Sequence, residues 1–173
     1  MTEKKSVSLA TAIAVIVALL LKFFVIDITR VYGHSMEPAL KPGNIIVSLR
    51  AYYGLLLPYS NRYVITWRKP ARGEILVLQN PMEATTIVKR CIGIEGDLIR
   101  IEQGDLVVGS TRIEDEVQRT AWELNLKIVP KGHVFVVGDN AEQSVDSRSF
   151  GFVPFEQVIG RVLTRRTHAW EPS

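Results

Sequence analysis

The run from Val7 to Ile26 constrains this chain more than any other stretch. It is apolar almost throughout, broken only by Ser8, Thr11 and Lys22. About 20 such residues are what a helix needs to cross hydrocarbon. Lys22, near one end, can snorkel to the interface. A cleaved leader would have a shorter apolar core and a small-residue site after it, and Asp27-Ile28-Thr29-Arg30 offers none. The expectation is therefore a retained transmembrane helix within residues 1–28. Lys4 and Lys5 before it predict a cytoplasmic N-terminus, weakened but not reversed by Lys22 and Arg30 beyond the run. Residues 29–173 then form one extracytoplasmic domain.

That domain reads as short strands with turn punctuation. Asn44–Leu49 follows Lys41-Pro42-Gly43, and Tyr63–Trp67 ends before Pro70. Glu74–Leu78, Thr86–Ile92 and His133–Val137 are bounded by Gly or Pro in the same way, and Gln157–Leu163 reads as the last strand. Leu98–Ile101 and Asp105–Val108 flank Glu102-Gln103-Gly104, a hairpin signal. The expected fold is mainly β: an N-terminal transmembrane helix followed by a compact, partly closed all-β domain. Residues 114–127 are left open between a loop and a short helix. Tyr52–Pro58 reads as an apolar loop, either packed in the core or touching a membrane.

Charge excludes one class of partner. The net charge is +3, and beyond residue 28 there are 18 basic against 16 acidic residues. So weak and dispersed an excess does not suggest nucleic acid. The single cysteine, Cys91, cannot form an internal disulfide.

Three stretches carry the candidate chemistry. Ser35 sits in a glycine- and proline-marked bend, Tyr32-Gly33-His34-Ser35-Met36-Glu37-Pro38. A serine hydroxyl needs a base to attack an amide. His34 neighbours Ser35 in an extended chain and points away from it. His133 and His168 have no evident carboxylate orienter, and the histidines lack metal-ligand spacing. Lysine is the alternative, provided burial removes its charge, a change of roughly 3–4 kcal/mol. Lys89 is the candidate: its neighbours on one strand face are Ile87 and Cys91. The third stretch, Gly138 to Gly151, is a polar loop in which Asp146 and Arg148 can pair. There Ser144 or Ser147 could orient a lysine amine.

These stretches resemble the boxes of bacterial type I signal peptidases. The family's Ser-Met-x-Pro box is Ser35-Met36-Glu37-Pro38 here. Its Lys-Arg-x-Ile-Gly-x-x-Gly-Asp box is Lys89 through Asp97, and its Gly-Asp-Asn…Ser-x-Asp-Ser-Arg…Gly box is Gly138 through Gly151. Ala39, Glu95 and Ala141 depart from the commonest pattern without touching Ser35 or Lys89.

The resemblance implies a signal peptidase I, a serine endopeptidase that removes signal peptides from exported preproteins after an Ala-x-Ala pattern. Ser35 would be nucleophile and Lys89 general base. Ser144 would orient Lys89, while Asp146 and Arg148 hold the loop. The Ser35 amide would bind the oxyanion. Val31, Met36, Leu40, Ile46, Val77, Ile87 and Val88 would line shallow pockets. No cofactor or metal is implied. The partners would be signal-peptide-bearing preproteins and the lipid bilayer, at the bacterial cytoplasmic (inner) membrane in a single-pass topology. Residues 98–132 are short for the family and would be a minimal accessory β region. Relatives sometimes carry serine at the position of Gly33, so oxyanion binding here would rest on backbone donors. Two competing readings are a Ser/Lys peptidase dedicated to one substrate, such as a conjugative pilin precursor, and a non-catalytic membrane-anchored binding module.

Overall fold

The computed structural model describes residues 2–57, 62–103, 105–113 and 127–163, with the side chains of 2–8, 21 and 23 excepted. The apolar run forms α1 (Thr2–Phe24), a helix of 23 residues. Here the sequence expectation is corrected. Among the described residues no helix is long and apolar enough to cross a membrane. The helix ends at Phe24, so it takes up the apolar run only from Val7 to Phe24, and Ser8, Thr11 and Lys22 interrupt that part, short of the roughly 20 apolar residues hydrocarbon demands. The chain also leaves the helix earlier than the expected segment end at residue 28. It becomes strand at β1 (Ile26–Arg30).

Twelve further strands follow in chain order. They are β2 (Ile45–Leu49), β3 (Gly54–Leu56), β4 (Tyr63–Thr66), β5 (Ile75–Gln79), β6 (Thr86–Ile94) and β7 (Leu98–Glu102). Then come β8 (Asp105–Val108), β9 (Thr111–Ile113), β10 (Lys127–Ile128), β11 (His133–Val137), β12 (Val153–Pro154) and β13 (Val158–Leu163). A short helix, α2 (Ser147–Phe150), lies between β11 and β12.

A seven-stranded sheet runs β1-β2-β13-β5-β6-β11-β12 and curls into a half-barrel. Every described pairing in it is antiparallel. β10-β7-β8-β9 form a separate four-stranded sheet, and β3-β4 a two-stranded hairpin. The mainly-β expectation thus agrees with the fold, while residues 114–126 and His168 lie outside the described residues.

β5 shows why the domain needs a sheet buried on both faces. Ile75 through Leu78 are all buried. Successive strand side chains point to opposite faces, so the run divides. Leu76 and Leu78 join Tyr53, Val136 and Val158 in one core. Ile75 and Val77 join Met36, Leu40, Ile46 and Val162 in another. A third core, with Ile99, Leu106, Val108 and Phe135, joins the small sheet to β6 and β11.

Candidate active site

Ser35 follows β1 in a bend closed by Glu37 N–H donating to the His34 carbonyl at 3.1 Å. Leu40 N–H donates to the Met36 carbonyl at 2.8 Å. Met36 and Leu40 are buried, so the bend is pinned by its apolar residues while Ser35 stays half-exposed. Ser35 and Lys89 line one cleft of about 310 Å³, between Thr29–Gly33 on one wall and Thr86–Lys89 of β6 on the other.

Lys89 is 4% exposed, buried in the strand as the sequence pattern required. Its Nζ donates to Ser144 Oγ at 3.0 Å. Ser144 Oγ in turn donates to Asp146 Oδ2 at 2.6 Å. The Asp146 carboxylate is fully buried and accepts three further kinds of donor. Gly138 N–H reaches Oδ2 at 2.9 Å. Arg148 Nε reaches Oδ1 at 2.9 Å and Nη2 reaches Oδ2 at 2.7 Å. Arg148 N–H adds a bond to Oδ1 at 3.1 Å, which caps α2.

The electrostatics follow from this wiring. Burial pulls the Lys89 pKa below that of an ordinary lysine. The Asp146 charge pushes it back up, Arg148 lowers it and Asp139 raises it, and burial prevails. Burial pushes the Asp146 carboxyl the other way. The Arg148 guanidinium, the Ser144 hydroxyl and the Gly138 amide outweigh that and hold it below the usual carboxylate range. With Asp146 and Arg148 neutralising each other, a charged Lys89 would be the uncompensated member of the cluster.

The seven pocket residues named from sequence divide. Val31, Met36, Ile87 and Val88 line the cleft. Leu40, Ile46 and Val77 do not line it; they sit in the same apolar core as Val31 and Met36. The histidines lie elsewhere. His34 is exposed and faces Glu37, with Nδ1 3.3 Å from Oε2. His133 borders a different cavity of about 270 Å³ with Lys69, Glu95 and Phe155. Among the described residues no cluster of three His, Cys, Asp or Glu side chains could hold a metal.

Sequence reasoning gave no individual role to Gly138, Asn140, Arg90 and Asp139. Asn140 N–H donates to the Ser35 carbonyl at 3.0 Å, tying the polar loop to the serine bend. A Cβ on Gly138 would stand 2.4 Å from the Ser35 carbonyl and 2.3 Å from Ser144 Oγ. Only glycine lets the two segments close to this distance. Arg90, next to Lys89, grips Asp139 with Nε to Oδ1 at 2.7 Å and Nη2 to Oδ2 at 2.6 Å. The signal was present in Gly138-Asp139-Asn140, whose composition announces only a loop.

A family model described as signal peptidase, peptidase S26, matches residues 4–166. The chain belongs to this family. Membership in the S26 family places it among serine endopeptidases. Similar proteins include the mitochondrial ATP-independent inner membrane protease subunit 1b of Arabidopsis thaliana, 40% identical over 78% of this chain and 66% of its own length. A probable signal peptidase I-2 of Synechocystis is 32% identical over 88% of this chain and 68% of its own. The S26 chain therefore spans about two thirds of the length of these relatives. A signal peptidase I crystal structure from Enterococcus faecalis aligns over 57% of this chain and 100% of its own, at 28% identity and TM-score 0.44.

Proposed function

We propose that the protein cleaves signal peptides from preproteins, with Ser35 as nucleophile and Lys89 as general base. The observation that carries this reading is the buried chain from Lys89 through Ser144 to Asp146, at a cleft that Ser35 shares. A neutral Lys89 amine takes the Ser35 hydroxyl proton as Oγ attacks the scissile carbonyl carbon. The Ser35 amide donates to the oxyanion. Lys89 then returns the proton to the leaving amine, giving an acyl-enzyme. Water, deprotonated by the same lysine, hydrolyses it. Ser144 fixes the amine, and Asp146 with Arg148 fixes Ser144. Small residues before the cut suit a cleft walled by Val31, Met36, Ile87 and Val88. The relatives' names support a membrane-associated setting.

The test is precursor cleavage by the full chain in detergent. Ser35→Ala and Lys89→Met should each abolish it, because nucleophile and base act as a unit. His34→Ala and His133→Ala should keep substantial activity. Loss of cleavage in a folded His133→Ala variant, or persistence in Lys89→Met, overturns the assignment.

A further inference from the structure

The corner where α1 hands over to β1 carries a cluster that the reaction does not use. Arg50 N–H donates to the Val25 carbonyl at 2.8 Å, which fixes the 3-10 turn Arg50–Tyr52 beside that junction. Two guanidinium groups converge on the Tyr52 ring, with the Cζ of Arg68 at 4.6 Å and that of Arg161 at 4.7 Å from its centroid. Both also donate to its hydroxyl, Arg161 Nη1 at 2.7 Å and Arg68 through Nη1. A phenol oxygen that accepts twice has its own O–H left to donate. Arg161 is balanced by Glu74, Nε to Oε1 at 3.4 Å. Among the described residues Arg68 has no carboxylate partner, and it is exposed. The cluster therefore presents donors only, with one positive charge uncompensated.

Its surroundings are apolar and open. Trp67 is held by Nε1 donating to the Tyr52 carbonyl at 3.2 Å, yet it is 59% exposed. Val64 and Ile65 of β4, the strand that leads into Trp67, are exposed, as is Leu57 toward the other end of the hairpin, and so are the apolar side chains of α1 from Leu9 to Leu20. We infer that Tyr52, Arg68 and Arg161 bind the phosphate headgroup of an anionic phospholipid whose acyl chains lie along the hairpin face of Ile65 and Trp67. A free phosphate would use the donors alone. A phospholipid uses the donors and the apolar rim together. The inference does not depend on the roles assigned to Ser35 and Lys89.

The test uses the full chain in non-ionic detergent, with Trp122→Phe and Trp170→Phe so that Trp67 alone fluoresces. Phosphatidylglycerol should give a saturable blue shift, and phosphatidylcholine should need at least about fivefold more for the same shift. Arg68→Gln should raise the phosphatidylglycerol half-saturation about fivefold. Arg68→Glu should abolish saturation. Because Arg68 is exposed, both variants should keep precursor cleavage, which checks the fold. An equal response to both lipids overturns the inference, as does an unchanged half-saturation in a folded Arg68→Glu variant. A shift produced by inorganic phosphate and not by phosphatidylglycerol overturns the choice of lipid.

Discussion

Gly33 and Gly138 lie on either side of the serine bend and have opposite constraints. At Gly33 a Cβ would meet nothing within 4 Å, and the backbone is not left-handed. Geometry therefore does not demand glycine there. Gly33→Ser should preserve or raise kcat on a peptide substrate, since one added oxyanion donor can contribute about 3 kcal/mol. Gly138→Ala should cut kcat by at least about tenfold, because its methyl group forces Ser144 away from Lys89 or Ser35 away from Asn140. Comparable losses in the two variants would contradict this. Protonation is a residue-scale matter too. Burial lowers the Lys89 pKa, so kcat/KM should rise with pH along a limb lying below that of a free lysine. Lys89→Arg should be inactive, since a guanidinium stays charged. A profile flat from acidic to alkaline pH would count against Lys89 as the base.

At the scale of elements, the cleft is a break in strand pairing. β5 pairs with the whole of Thr86–Arg90, but β11 pairs with β6 only from Arg90 onward. Among the described residues the second edge of Thr86–Lys89 has no strand beside it, and this segment lines the cleft. An extended peptide can add there as a strand, held by its backbone. N-methylation of a substrate amide that reaches this edge should lower kcat/KM by up to about tenfold, the value of one hydrogen bond. An unchanged rate across a scan of methylated positions would show that the edge is not used. This pairing gap was not legible in the sequence, although β6 itself was. Apolar alternation and Gly/Pro boundaries located most of the long strands, and the isolation of Lys89 among apolar residues singled it out as the candidate base. β1 was hidden because Ile26 and Ile28 extend the apolar run without a turn signal. β3 was hidden because Gly54-Leu55-Leu56 follows two tyrosines and looks like an apolar loop. The convergence of Gly138 and Asn140 on Ser35 joins residues about a hundred positions apart, and no local pattern encodes it.

At the scale of the whole molecule, the buried amine links activity to stability. In the unfolded chain Lys89 titrates near its ordinary value of about 10.4; in the folded chain its pKa is lower. Between those values the unfolded state holds more protons, so stability rises with pH there and falls as pH drops toward the folded pKa. Lys89→Met lacks this dependence. Its stability relative to the parent should therefore improve as pH falls from about 10 to 7, measured by denaturant unfolding at both. A constant difference would mean that folding leaves the amine unperturbed. The cleft wall has a parallel property. Val31 and Met36 line the cleft, and they also belong to the apolar core that holds Ile46, Ile75, Val77 and Val162. Truncating Met36 to widen the cleft would also hollow that core, at about 2–5 kcal/mol. Selection for bulkier substrates that works through Val31 or Met36 therefore carves the core as well as the wall. New tolerance by that route has to begin with compensating changes among Ile46, Ile75, Val77 and Val162, so the order in which substitutions arise decides which substrate ranges this lineage can reach.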